Sequence, residues 1–488
     1  MIVNLYTTRI VLEVLGVSDY GIYNVVCGFV SMFGVLNTSM SNGVQRFYNY
    51  ELGRNGEGAL INVFNTSVLI QMTLTILLVV LLESFGLWYL NSQMEIPSDR
   101  IIAANYIFQF SIISLIFIVL QVPYSAAIIA YEKMDFYAIV SVLDVIIKLL
   151  AAFIIPHLHG DRLITYGLLL SSVGFLNFIL YYWYCKRKFS HLKFKWKFDR
   201  QLFKTMFSFS GWNLFGTFAY MTKGQGVNVL LNSFFGTVVN AANGIATQVS
   251  SAIQTFASNL VLAFKPQLTQ SYAAGEYKRV VSLMFSMSKI SFMLVCIIAI
   301  PVMVDLDYVL KLWLGNNVPD YTISFTRLVI ITMMISVLNT PLTQVVHATG
   351  KMRKYQLTTS IIICSILPIS WLFLKMGFGA QSVFYVGIVI TIINQIACLL
   401  VVKKVFDFSL IGYIREVVLF CCSLCILPLM ISLFISDHIS DSLGGFIILF
   451  IVCLVVLCIS ALLLLNKKEK EMISSIFIKI INKCKNVN

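Results

Sequence analysis

Apolar runs of about twenty residues recur along the whole chain, separated by short polar connections. Crossing about 30 Å of hydrocarbon takes roughly 20 apolar residues in a helix. Backbone in oil must also satisfy its own hydrogen bonds, which an α-helix does within one segment. The runs fall at 1–15, 21–45, 59–82, 102–129, 136–156, 162–185, 205–233, 238–264, 280–304, 322–346, 356–374, 380–402, 412–435 and 444–465. They predict an all-α integral membrane protein with about fourteen transmembrane helices. Composition agrees: 59% of the 488 residues are hydrophobic and 12% charged, too apolar for a soluble core to absorb. The first run is short for a span and no basic segment precedes it, so the start of this helix is expected upstream of Met1.

Charge placement sets orientation. With the first end cytoplasmic, most of the 35 basic residues fall on the cytoplasmic side: Arg46, Arg54, Lys133, the run from Lys186 to Lys204, Lys265, Lys278, Arg279, Lys351, Arg353, Lys354, Lys403, Lys404, Arg415 and the tail lysines. The opposite side holds only Arg100, Arg162, Lys311 and Lys375, together with acids such as Asp19, Glu95, Asp305 and Asp437. By the positive-inside rule both termini are expected in the cytoplasm.

An internal repeat divides the chain. Shifted by about 220 positions, Pro123, Ala130, Lys133, Met134 and Tyr137 land on Pro341, Ala348, Lys351, Met352 and Tyr355. Nearly the same shift carries Gln45, Tyr50 and Gly53 onto Gln267, Tyr272 and Gly275, and Gly21-Ile22 onto Gly244-Ile245. Spans 1–6 therefore match spans 7–12, and an even number of crossings makes the two six-helix halves parallel repeats. The expected organisation is an N-terminal half (1–185), a basic linker (186–204), a C-terminal half (205–402), helices 13 and 14 (412–465) and a basic amphipathic tail (466–488) lying on the membrane surface.

Ionisable residues inside spans are few. A charge at the bilayer centre costs about 2.5–3.5 kcal/mol on insertion scales, so such residues are expected to face protein or a water-filled interior. Arg9 sits in the first run and Lys223 in the seventh, its repeat partner, within Tyr220-Met221-Thr222-Lys223-Gly224-Gln225-Gly226-Val227-Asn228, where two glycines suggest a bend. Arg9 and Lys223 are expected to face one cavity as an anion site, with Arg46 at its cytoplasmic mouth and Tyr220, Gln225 and Asn228 as polar contacts. Lys289 and Arg327 lie near span ends, where they could equally snorkel to a headgroup. Asp144 and Lys148 are four apart on span 5 and can pair on one face. That pair reads either as a self-neutralised structural unit or as a proton- or sodium-coupling site.

Other readings are weaker. The cysteines sit mostly in apolar runs as small hydrophobes, and Cys422 and Cys425 read as packing despite their spacing. His157 and His159 have no partner cluster for a metal. In Lys186–Lys204 lysines alternate with Phe194, Trp196 and Phe198, which beside a span indicates anionic lipid rather than nucleic acid. No hydrolase or phosphate-loop motif is present, and the longest loop on the acidic side, Glu83 to Ile101, is short for a glycan polymerase.

Tyr6-Thr7-Thr8-Arg9-Ile10-Val11-Leu12, followed by Leu15-Gly16-Val17-Ser18-Asp19-Tyr20-Gly21-Ile22-Tyr23-Asn24-Val25-Val26, resembles the opening of the polysaccharide-biosynthesis (O-antigen, Wzx-like) flippases. Gln45-Arg46-Phe47 and Glu51-Leu52-Gly53-Arg54 are similar to the end of their second helix. These flippases belong to the multidrug/oligosaccharidyl-lipid/polysaccharide exporter superfamily, and family members usually begin about 20 residues earlier. The resemblance implies a MATE-like fold in the bacterial inner membrane and flipping of an undecaprenyl-pyrophosphate-linked oligosaccharide. Arg9, Arg46 and Lys223 would hold the diphosphate. Partners would be this lipid-linked oligosaccharide, anionic lipids and other polysaccharide-assembly proteins; no cofactor and no nucleic acid are expected. The rivals are a multidrug or cation antiporter of the same superfamily, a membrane glycan polymerase and a non-transporting scaffold.

Overall fold

The computed structural model describes residues 2–55, 60–92, 96–157, 160–189, 191–196, 198–315, 318–436 and 442–464. Among them the regular structure is helical and no strand occurs. The tail and Asp437, on which sequence expectations were placed, lie outside the described residues.

The chain divides into two compact units, Met1–Thr217 and Phe218–Asn488. Unit 1 contains α1 (Ile2–Met32), α2 (Gly34–Asn55), α3 (Leu60–Leu81), α4 (Leu87–Ser92), α5 (Ile101–Ala130), α6 (Met134–Ile154) and α7 (Arg162–Lys188). α8 (Arg200–Ala273) starts in unit 1 and continues into unit 2. There it is followed by α9 (Tyr277–Val304), α10 (Leu306–Leu314), α11 (Thr322–Val337), α12 (Asn339–Thr349), α13 (Met352–Cys364), α14 (Ile366–Lys375), α15 (Ser382–Val405), α16 (Leu410–Tyr413), α17 (Leu419–Ser436) and α18 (Leu443–Leu464). Among the described residues ten helical stretches are long and apolar enough to cross a membrane, and each coincides with one of the expected spans from the third to the sixth and the ninth to the fourteenth. The other four are supplied by α1, α2 and α8, which are helical over the expected lengths.

Three boundaries differ from expectation. The expected loop from Glu83 is helix as far as Ser92, through a single π turn at Leu82–Gly86, because Leu82 and Leu90 bury completely in the unit 1 core. The linker is shorter than 186–204, since α7 runs to Lys188 and α8 begins at Arg200. The division between units falls within α8, whose first turns pack on α2: the Phe47 and Phe209 rings meet edge to face at 6.0 Å, and Asn213 Nδ2 donates to the Ser39 carbonyl. Oil supplies no hydrophobic force between helices, so close approach decides packing. On α7, Gly167 and Gly174 seat Ile107 and Ser114 of α5; a Cβ at Gly167 would lie 2.4 Å from Ile107 Cδ1.

The repeat is visible in the backbone. α1 breaks at Gly16 (φ 78°, ψ 168°) and α8 at Gly236 (φ 79°, ψ −171°), the same conformation at matching positions. It lies in a region of φ/ψ space essentially restricted to glycine. The α5–α6 turn likewise matches the α12–α13 turn. Glu132 (φ 56°) precedes the cap residue Lys133, as Gly350 (φ 76°) precedes Lys351. The bend expected at Gly224 and Gly226 is absent. α8 runs regularly through both, and Gly226 instead makes room for Leu367, whose methyls lie 2.6 Å from where a Cβ would stand.

A polar clasp holds α1 on both sides of its break. Arg100, at the start of α5, binds Asp19 through Nε (2.8 Å to Oδ1) and Nη2, and Asp161 through Nη1 (2.5 Å to Oδ2). Asp161 also caps α7, accepting from the Leu163 and Ile164 amides. Arg162 donates to the Val14 carbonyl, two residues before the break. Burial pushes the Asp161 carboxyl up, but the Arg100 guanidinium and the two amides outweigh it and hold it below the ordinary aspartate value. The same pairing raises Arg100 further.

Gly16→Ala and Gly236→Ala are each expected to destabilise the protein by about 1–3 kcal/mol. Gly21→Ala, helical with open space at its Cβ, should be neutral or stabilising. Thermal unfolding in detergent checks the contrast. With Asp161 depressed in the folded state, the clasp contributes fully above the unfolded aspartate pKa of about 4 and fades as pH falls through the lower folded value. Arg100→Ala should therefore lower the melting temperature most at neutral pH, with the gap to wild type closing in acid; a pH-independent gap would contradict the clasp.

Candidate functional site

Each unit holds an open cavity with polar side chains in its lining. That of unit 2, about 490 Å3, lies among α8, α11–α12 and α13–α15. α8 supplies most of its polar wall, because its polar residues recur at helical spacing on one face. Tyr220, Lys223 and Asn228 lie before the Gly236 break; Asn243, Thr247, Ser250 and Gln254 lie after it. Asn243 Nδ2 donates to Asn228 Oδ1 at 2.7 Å, tying the two segments together across the break. α15 adds Thr391, Asn394 and Gln395 from the middle of a span. Asn394 Oδ1 and both amide atoms of Gln395 are buried without a protein partner.

The charge of this cavity is one-sided. Among the described residues Lys223 is the single basic residue in its lining, and no acidic residue lines it. Among them, too, nothing forms an ion pair or hydrogen bond with the Lys223 ammonium. A cation in a low-dielectric wall with no counter-charge is what an incoming anion can satisfy. The four polar residues expected around this point, Tyr220, Lys223, Gln225 and Asn228, all line the one cavity.

The unit 1 cavity, about 470 Å3, is polar and close to neutral. Its two charged residues are Asp144 and Lys148, paired at 2.7 Å between Oδ2 and Nζ. Asp144 Oδ1 accepts from Asn177 Nδ2, also at 2.7 Å, so both carboxylate oxygens are engaged. The i,i+4 geometry places the pair as the spacing implied. Asn177 on α7 is the partner that sequence reading left out.

The remaining expected cations are placed differently. Arg46 is buried against rings, its guanidinium carbon 4.7 Å from the centroid of Phe47, 5.0 Å from Tyr50 and 5.3 Å from Phe209. Its neighbour Gln45 lines the unit 1 cavity; Arg46 does not. In this conformation cation–π contact, worth about 2 kcal/mol when desolvated, holds Arg46 in the wall of the unit. Arg9 lies on α1, and its side chain is outside the described residues. Lys289 is buried, with Nζ 5.3 Å from the Phe420 ring centroid, rather than at a headgroup. Cys425 approaches Cys296 at 3.6 Å and not Cys422, and the described cysteines are thiols.

Solved transporter structures share this fold. An outward-facing multidrug-resistance MATE family transporter of the MOP superfamily superposes with a TM-score of 0.74 at 12% identity, covering 83% of this chain and 91% of that one. The fold is MATE-like. A point mutant of a MATE protein gives a TM-score of 0.73 at 12% identity over 83% and 92% of the two chains. A MOP superfamily transporter from Pyrococcus furiosus, described as having a binding pocket of reversed polarity that suggests a different function, gives 0.70 at 12% identity over 83% and 91%. No family model matches the sequence. No curated protein matches it either.

The two cavities make opposite predictions. Lys148→Met removes the counter-charge that accompanies Asp144 and is expected to destabilise unit 1 by about 1–3 kcal/mol. Lys148→Met combined with Asp144→Asn should recover most of that loss, because no charge is then stranded. Lys223→Met, which strands nothing, should leave the melting temperature unchanged or raised. Thermal unfolding of the purified variants checks all three.

Proposed function

We propose that this chain is a flippase that moves an undecaprenyl-pyrophosphate-linked oligosaccharide across the bacterial inner membrane by alternating access. The observation that carries this reading is the unit 2 cavity, with its unpaired Lys223, its partnerless amides on Asn394 and Gln395, and its lack of any acidic residue among the described ones. A diphosphate needs a fixed cation, and sugar hydroxyls need amide and hydroxyl groups that both donate and accept. The apolar tail of such a cargo requires no polar cavity and can remain in the bilayer. The resemblance of the opening residues to O-antigen flippases supports the same cargo, and the MATE-like fold supports a transport role. In this reading Lys223 holds the diphosphate, Arg46 supports the wall of unit 1, and Tyr220, Gln225 and Asn228 contact sugar. The distribution of lysine and arginine supports a cytoplasmic position for both termini.

The second reading is a multidrug or cation antiporter, favoured by the likeness to a multidrug-resistance transporter. A cationic cargo calls for an available carboxylate. Among the described residues Asp144 is the one acid lining either cavity, and Lys148 and Asn177 already occupy it.

Lys223→Ala removes a charge-assisted contact of about 1.5–3 kcal/mol, a loss of roughly 10- to 100-fold in cargo binding. Cells carrying it as the sole copy should lose surface glycan while keeping the protein in the membrane, and Lys223→Arg should restore part of the glycan. Wild-type glycan in Lys223→Ala cells, or a gain in cationic-drug sensitivity without glycan loss, would overturn the flippase reading.

A further inference from the structure

The basic connection between α7 and α8 is separate from both polar cavities, and its geometry is that of a small binding site. After α7 ends in Lys186-Arg187-Lys188, the chain turns at Phe189 and folds back over unit 1. Phe189 stacks on Tyr131 with ring centroids 4.3 Å apart, and the Tyr131 hydroxyl bonds His191 Nε2 at 2.8 Å. The Lys195 amide donates to Asn65 Oδ1 of α3, and Leu192 is buried. These contacts fix a loop that would otherwise have little reason to be ordered. Beneath it lies a pocket of about 260 Å3. Phe64, Tyr124 and Tyr182 form its apolar wall, and the exposed Lys186 and Lys193 stand at its rim. Lys186 Nζ lies 5.8 Å from the Tyr182 ring centroid. Phe194 also lines the pocket and is exposed, and beyond it Trp196 and Phe198 are exposed, Trp196 by 79%.

We propose that this pocket binds one anionic phospholipid from the surrounding bilayer. The phosphodiester sits between Lys186 and Lys193, and the upper part of an acyl chain lies against the Phe64–Tyr124–Tyr182 wall. Charge complementarity selects the occupant. Among the described residues no acid lines the pocket, so a zwitterionic headgroup would bring an ammonium with nothing to meet it. Exposed aromatic rings interleaved with lysine are placed where acyl chain gives way to headgroup, which is the depth this ligand occupies. The volume, about 260 Å3 and just below the roughly 300–1,000 Å3 of small-ligand pockets, suits a headgroup and part of a chain. It is too small for a glycan-bearing cargo, so the site stands independently of the transport reading.

The test is native mass spectrometry of the full chain in mild detergent. It is titrated with phosphatidylglycerol or with phosphatidylcholine of identical chains. Wild type should retain phosphatidylglycerol selectively. Near a membrane surface each lysine contributes about 1 kcal/mol, so Lys186→Gln with Lys193→Gln should weaken phosphatidylglycerol binding roughly 30-fold. Lys354→Gln with Lys404→Gln, which removes the same charge from exposed positions elsewhere, should leave it unchanged. Equal retention of the two lipids, an equal loss in both double variants, or displacement of phosphatidylglycerol by inorganic phosphate at comparable concentration would overturn the assignment. Retained helicity and melting temperature of the variants confirm that they are folded.

Discussion

Hydrocarbon offers no hydrogen bonds, and that scarcity governs which polar side chains this chain can place in its spans. Most are consumed internally. Asp144 is satisfied by Lys148 and Asn177, and the Arg46 guanidinium lies among the rings of Phe47, Tyr50 and Phe209. Such groups are part of the fold. Others are left without a partner in both units, Asn49 and Gln71 among them, and three of these groups line the unit 2 cavity: the Lys223 ammonium, Asn394 Oδ1 and the Gln395 amide. In the proposed flippase reading, the cation and the neutral donors and acceptors of this cavity receive an anionic, polyhydroxylated cargo.

The broken first helix of each half serves the same end. A glycine-only backbone conformation interrupts α1 at Gly16 and α8 at Gly236, and a break leaves main-chain groups that a continuous helix would have paired. In unit 1 the consequences are met from outside the helix, where Arg162 takes the Val14 carbonyl and Arg100 holds Asp19. In unit 2 the helix bridges its own break through Asn243 and Asn228, and both side chains are also cavity wall. The opening motif from Leu15 to Gly21 thus has a structural meaning beside its resemblance to a family: one glycine makes the break, and the aspartate three residues later secures it.

Much of this was legible in one dimension. Ten of the expected spans coincide with membrane-length apolar helices, since apolar run length is a direct readout of bilayer thickness. The repeat was legible because turns need particular residues; Lys133-Met134 and Lys351-Met352 begin helices with the same cap geometry. The bend assigned to Gly224 and Gly226 was misplaced, because glycine in a helix marks either a break or a close neighbour, and Leu367 is distant in sequence. Asn394 and Gln395 were missed although two adjacent amides in the middle of an apolar run are a signal in themselves. The stripe of Asn243, Thr247, Ser250 and Gln254 was likewise readable as helical periodicity in polar rather than apolar residues.

The sequence by itself determined the class of the molecule, its span count, the doubling of a six-helix unit and the expected sidedness, because each follows from hydropathy, charge placement or local turn chemistry. Only the tertiary structure decided which charges are spent and which are available. Whether Lys223 meets a carboxylate, Arg46 meets the Phe209 ring or Asp144 meets Asn177 depends on which other helix the fold brings alongside. A charge in oil acquires its role from whatever the fold sets beside it.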